Sequence, residues 1–283
     1  MTIREIFGHR ATTAFVLGGG GNLGSIQVGQ LKALFERGIM PDVVIGCSVG
    51  ALNGAAIADE PSLDGVGRLE QLWRGLAGRD IFPSSSLGRG PWRFVRNGLS
   101  AYGDTGLRQL VGSLRFKTFE EAKLPFWVVA TSLRHGVEKW FNHGDATLPL
   151  LASTALPGVF PPVTIDGEDY IDGGVVNNVP ISKAFELKAR KVYVLDVGNL
   201  ERERPTAKRP YEVLMQAVSI ARAHRYRIER EQAPEKVELV RLPAPEVGKL
   251  RYDDFTRSPE LVERAYHASI AFLDHHHADV RPA

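Results

Sequence analysis

Two strand-turn-helix units stand in succession near the start of this chain, and no other feature limits its folding as much. Residues 14–17, Ala-Phe-Val-Leu, read as a short buried strand. The glycines of "GGGGNLG" follow, and Ile26, Leu31, Leu34 and Phe35 then fall on one side of a helix that Gly38 ends. "DVVIGCSVGALNGAAIA" repeats the plan, with a strand over 43–46, a tight turn at Cys47 and Ser48, and a helix of small residues over 49–58. A helix between consecutive strands is the connection that parallel pairing needs, so the pattern predicts an α/β fold, a mostly parallel sheet with helices on both faces. Further along, "FWVVATSL", "KWFN", "KVYVLDVG" and "VELVRL" read as strands, and "VTIDGEDYIDGG" as a hairpin turning at Asp166-Gly167. Helices are expected from about Pro180, over 211–232 and over 258–274.

Composition narrows the function classes. With 283 residues the chain can bury a substantial core, and its 43% hydrophobic and 24% charged residues are ordinary for a folded globular protein. A formal net charge of +2 is too small for a general nucleic-acid binder, and no nucleic-acid partner is expected. One cysteine, Cys47, excludes an internal disulfide framework and fits a reducing compartment. The apolar run near the N-terminus is too short for a signal segment or a membrane span, so a cytoplasmic chain is expected. No cofactor and no metal are expected; the run His275-His276-His277 could hold a metal only adventitiously. Oligomeric state is left open by the sequence.

Gly46-Cys47-Ser48-Val49-Gly50 spells G-x-S-x-G at the second strand-to-helix turn. In a nucleophile elbow the serine occupies a strained turn, and the flanking glycines, here Gly46 and Gly50, let strand and helix backbones pass closely. Placement between an apolar strand and a small-residue helix favours this over a plain glycine-rich turn. Upstream, Gly19, Gly21 and Gly24 spell G-x-G-x-x-G, the form of a dinucleotide-binding loop. Such a loop needs an acidic residue at the end of the following strand, and here that strand ends in Gly46-Cys47-Ser48, with Asp42 before it. Loops after adjacent parallel strands share one sheet edge, so the glycine loop and Ser48 should face one crevice. Backbone amides of Gly19, Gly20 and Gly21 are then candidates for an oxyanion hole.

A serine nucleophile needs a base, and the histidines lie in no motif. Asp172 does: "YIDGGVVNNVP" puts it at a strand end with Gly173 and Gly174 behind it, where a carboxylate can take the serine proton directly. A turn aspartate is the plain alternative. Other readings are an α/β-hydrolase triad of Ser48, Asp172 and His224 or His267, and a lipid- or nucleotide-binding protein without catalysis.

Together, "LGGGGNLGSIQVGQLKAL", "GCSVG", "ASTALPGVFPPV" and "YIDGGVVNNVP", in this order and spacing, resemble the signature blocks of patatin-like phospholipases, over about Val16 to Gly198. The resemblance implies a three-layer α/β/α fold and a Ser-Asp dyad that hydrolyses acyl esters of lipids. It implies Ser48 as nucleophile, Asp172 as general base and Gly19 to Gly21 as oxyanion hole, with Gly24, Gly46, Gly50, Gly173 and Gly174 supporting the motifs. It also implies a single domain over 1–283, its signature core at about 14–200 and the elements of 205–275 packed on that core. The family usually has a basic residue where this sequence has Leu23, so any role of that cation is lost or moved; Cys47 for the more usual threonine is a milder change. The partner implied is a lipid or acyl ester, with peripheral membrane contact open.

Two segments carry secondary expectations. The stretch 78–105 is rich in Gly, Ser and Arg but holds Phe82, Trp92, Phe94 and Tyr102, which suits either a lid over an apolar substrate or ordinary loop packing. In the helix of 211–232, Val213, Leu214, Ala217, Ile220 and Ala221 recur at near-helical spacing, with Arg222, Arg225, Arg227 and Arg230 beyond. That pattern fits a core helix with a solvated basic face, or a helix that docks on anionic membrane.

Overall fold

The apolar runs form the middle of an eight-stranded sheet in the computed structural model, which describes residues 13–82, 100, 102–198, 200, 206–207, 210–248 and 250–279. Strand β1 (Thr13–Leu17) leads through a 3-10 turn at Gly21–Gly24 into α1 (Ser25–Glu36), and β2 (Val43–Cys47) leads into α2 (Val49–Asp59). Then come α3 (Leu63–Gly75), α4 (Gly78–Ile81), α5 (Thr105–Gly112), β3 (Phe126–Ser132), β4 (Glu138–Phe141) and α6 (Thr147–Thr154). The hairpin β5 (Val163–Ile165) and β6 (Glu168–Asp172) follows, then α7 (Ile181–Glu186), β7 (Lys191–Leu195), α8 (Pro210–Glu231), β8 (Glu238–Arg241) and α9 (Ser258–Asp279). Asp166 and Gly167 carry the hairpin turn with φ of 52° and 80°, the paired positive values a two-residue turn of this twist requires.

Hydrogen bonds link β5 to β6, β6 to β3, β3 to β2, β2 to β1, β1 to β7 and β7 to β8, with β4 also paired to β3. The run β3-β2-β1-β7-β8 is parallel. Its middle strands are covered on both faces, which is why they read as continuous apolar runs rather than alternating ones. Phe15, Leu17, Tyr193 and Leu195 turn to the face that also holds Leu31 and Leu34 of α1 and Ala51 and Ala55 of α2. Ala14, Val16, Val192 and Val194 turn to the other, against Ile181 and Ala184 of α7 and Ala223 and Tyr226 of α8. The result is a three-layer α/β/α sandwich. Helix α1 is buried almost all round because α9 lies across its outer side; a Cβ at Gly29 would fall 2.2 Å from the Val262 carbonyl oxygen.

The register around β3 brings two distant parts of the chain end to end. Strand β4 pairs with Val128–Thr131 and so holds one edge of β3. Strand β2 pairs with Phe126–Val129 and β6 with Ala130–Ser132, so both must share the opposite edge. Cys47 is registered with Val129 and Asp172 with Ala130, the next residue. The C-terminal ends of a parallel and an antiparallel strand therefore meet head to head.

Helix α8 departs from the core-helix expectation. Among its described side chains the buried apolar contacts come from Ala223 and Tyr226, whereas Val213 and Ile220 are 57% and 53% exposed and Ala217 and Ala221 are exposed as well. The side chain of Leu214 lies outside the described set.

Candidate active site

Ser48 sits between β2 and α2 with φ 54° and ψ −129°, a conformation that L-residues avoid. The neighbours explain how it is held. A Cβ at Gly50 would lie 2.2 Å from the Leu17 carbonyl oxygen, and one at Gly46 would lie 2.5 Å from Ala51 Cα, so strand and helix touch backbone to backbone on both sides of the serine. The Ser48 amide donates to Ser153 Oγ at 2.9 Å. Cys47, next to it, is fully buried, and that burial, helped by the Asp172 charge, pushes its thiol well above the usual range, so it stays protonated and inert.

Asp172 ends β6, and Ser48 Oγ donates to its Oδ2 at 2.6 Å. Its other oxygen accepts from the Gly174 amide at 2.7 Å, which fixes the carboxylate plane. Asp172 is 2% exposed. Burial raises its pKa above the ordinary aspartate value, while the Arg222 charge, the Ser48 hydroxyl and the Gly174 amide oppose the rise. A Cβ at Gly173 would strike the Val129 carbonyl oxygen at 2.3 Å, so the turn after Asp172 lies tight on β3.

The glycine loop lies beside this pair. A Cβ at Gly19 would fall 3.1 Å from Ser48 Cβ, and one at Gly20 would fall 2.4 Å from Val197 Cγ2. Gly24 packs equally closely on Val49 and Trp73. Of the three amides expected to be available, that of Gly19 donates to the Asn178 carbonyl at 2.9 Å, while those of Gly20 and Gly21 have no acceptor among the described residues. Asn178 Nδ2 in turn donates to the Gly19 carbonyl at 3.1 Å. Leu23 turns into an apolar cluster with Ile26 and Val197, away from any charge role.

Ser48, Asp172 and the glycine loop line the floor of a cleft of about 350 Å³. Its walls are apolar, from Leu52, Leu69, Trp73, Leu110, Phe160 and Phe255 among others. Phe82 stacks on Phe160 at 5.5 Å and meets Tyr102 and Tyr252 edge-on at the same border. Trp92 and Phe94 of the stretch read as either a lid or a packing loop lie outside the described residues. No histidine lines the cleft among the described residues; His224 is exposed, and His267 is 74% exposed beside Glu263. Ser48, Asp172 and the glycine loop, far apart in the chain, thus lie in one place.

The family model described as "Patatin-like phospholipase" matches residues 15–185, more than half of the chain. This chain belongs to the patatin-like phospholipase family. Lysophospholipase NTE1 of Mycosarcoma maydis is 31% identical over 68% of this chain and 10% of its own length. Patatin-like phospholipase domain-containing protein 7 of Rattus norvegicus is 31% identical over 66% of this chain and 14% of its own. The chain thus spans about a tenth of the length of these curated relatives. VipD from Legionella pneumophila aligns with TM-score 0.48 and 16% identity, over 94% of this chain and 67% of that one.

Several residues of this patatin-like site escaped the sequence analysis. Gln27 Nε2 donates to the carbonyls of Gly18 and Leu195, and Asn53 Nδ2 to the Gly24 carbonyl and Gln27 Oε1. Trp73 Nε1 completes the chain on Asn53 Oδ1 at 2.9 Å. Asn22 Nδ2 ties the loop to the carbonyls of Arg251 and Asp254. A signal was available: Gln27 and Asn53 are amides on otherwise apolar helix faces, and a buried amide must find partners. Arg222 offered none, since nothing local distinguishes it from the other arginines of α8.

Proposed function

We propose that the chain is a lipid acyl ester hydrolase in which Ser48 is the nucleophile and Asp172 its general base. The observation that carries this reading is the 2.6 Å hydrogen bond from Ser48 Oγ to Asp172 Oδ2 beneath an apolar cleft. Asp172 takes the hydroxyl proton as Oγ bonds to the ester carbonyl carbon. The amides of Gly20 and Gly21 donate to the resulting oxyanion, and Gly19 keeps its loop in place through Asn178. Collapse breaks the ester C–O bond; the leaving alcohol collects the proton from Asp172, and the acyl group stays on Ser48. Water then attacks the acyl carbon and gives a proton to Asp172, which returns it to Ser48 as the fatty acid departs. The relatives are named lysophospholipase and patatin-like phospholipase, which supports a lipid ester as substrate.

We further place the work of the chain at a membrane surface reached from the cytoplasm. Among the described residues no helix is long and apolar enough to cross a membrane. The exposed Val213, Ala217, Ile220 and Ile228 run along α8 with Arg227, a stripe that suits contact with a lipid surface, and Val218, Ser219 and Arg222 on another side of the same helix line the cleft. Fluorophosphonate labelling tests the chemistry. The wild-type protein should take the label and hydrolyse p-nitrophenyl acyl esters, and Ser48→Ala should do neither while keeping its fold; label on the folded Ser48→Ala protein would put the nucleophile elsewhere.

A further inference from the structure

Among the described residues of the cleft wall only two carry charge, Asp172 and Arg222. Arg222 comes from α8, far along the chain from the glycine loop and the elbow, and is half-buried. Its Nε donates to the Gly174 carbonyl. A Cβ at Gly174 would lie 2.9 Å from Asp172 Oδ1 and 3.1 Å from Arg222 Nη2, so carboxylate and guanidinium flank one backbone position. Among the described residues no carboxylate stands within ion-pair distance of Arg222, whose nearest anion is the Asp172 carboxylate that its charge influences, and the Gly174 bond uses Nε, not the Nη groups. A guanidinium in an apolar wall with open donors is costly unless an anion reaches it. In a glycerophospholipid only glycerol carbons separate the phosphodiester from the acyl ester. An anion site serving such a substrate must therefore lie beside the nucleophile, where Arg222 lies.

We propose that Arg222 is the specificity residue of this cleft, donating to the phosphodiester oxygens of a phospholipid or lysophospholipid whose acyl ester lies at Ser48. The proposal rests on the placement of substrate described above and adds what selects it: the planar fork suits phosphate, and the apolar walls suit the chain. A neutral glyceride would offer the guanidinium Nη groups no anionic acceptor.

Binding separates this from the hydrolysis itself. Ser48→Ala protein, with and without Arg222→Gln, is titrated with lysophosphatidylcholine and with the monoacylglycerol of the same chain in identical detergent micelles, following intrinsic tryptophan fluorescence. Arg222→Gln should weaken lysophosphatidylcholine binding by about tenfold or more, the loss expected for a hydrogen bond to a charged group, and leave monoacylglycerol within about twofold. Arg222→Lys, which keeps the charge without the fork, should fall between. Equal loss for both lipids, or none for either, would make Arg222 only a tie on the Asp172 turn and overturn the proposal. Displacement of lysophosphatidylcholine by low millimolar inorganic phosphate would assign the site to the free ion and overturn it too. Failure of the hydrolase reading appears separately, as absence of turnover and label in the wild-type protein.

Discussion

The strained backbone of Ser48 and the buried charge of Asp172 are both costs borne by the site. With φ at 54° and ψ at −129°, Ser48 holds a conformation open to glycine alone without strain. Ser48→Gly should therefore be more stable than Ser48→Ala by about 1–3 kcal/mol in urea titration, and neither should hydrolyse esters. Asp172 is raised by burial, so the native state holds its proton more readily than the unfolded chain. The stability that such a group contributes is present below its unfolded pKa and lost as pH rises through its folded pKa. Asp172→Asn should hence melt at or above the wild-type temperature at neutral pH, the gap closing in acid, while hydrolysis falls by about 10² to 10⁴ for loss of a base. Only the ionised carboxylate accepts the proton, so wild-type kcat/KM should fall as pH drops through a value above the ordinary aspartate range. Arg222→Gln removes a charge that lowers that value and should move the limb to higher pH, read from the pH–rate profile.

Among the elements, α2 is joined to the glycine loop, and α3 to α2, by buried side-chain hydrogen bonds rather than by apolar contact alone. Asn53 on α2 satisfies the Gly24 carbonyl, Gln27 and Trp73 at once. Asn53→Leu keeps the size but strands these partners in the core, and should cost about 1–3 kcal/mol per polar group left unpaired, measured by urea unfolding. Its kcat should drop as well, because the loop bearing Gly20 and Gly21 loses the bond at Gly24. Helix α8 divides its work differently: Ala223 and Tyr226 anchor it to the sheet, Arg225 pairs with Glu138 and Glu229, and the opposite stripe is open.

For the molecule as a whole, the open stripe and the cleft lining occupy different sides of α8, so the proposed docking can be tested apart from the chemistry. Ile220→Glu puts a charge on the stripe without touching the cleft lining. It should reduce sedimentation with anionic vesicles and hydrolysis of vesicle lipid several-fold, while a water-soluble ester is hydrolysed at close to the wild-type rate. Loss with the soluble ester as well would mean that the stripe supports the fold and not the docking.

Patterns set by near neighbours were legible in the sequence. Parallel strands could be read from continuous apolar runs, the hairpin from Asp166-Gly167, and the elbow from glycines that admit close backbone contact on either side of Ser48. Even Asp172 could be singled out, from the glycines behind it. What sequence could not establish was distance. Ser48 and Asp172 are 124 residues apart in the chain, and their hydrogen bond exists because β2 and β6 end on consecutive residues of one edge of β3. Register of that kind depends on pairings across the whole sheet, which leave no local mark. The same holds for Arg222, whose neighbours on α8 predict only an amphipathic helix. Periodicity could state that α8 has an apolar stripe, but only the packing of Ala223 and Tyr226 on the sheet decided that the stripe faces outward and that Arg222 reaches the cleft.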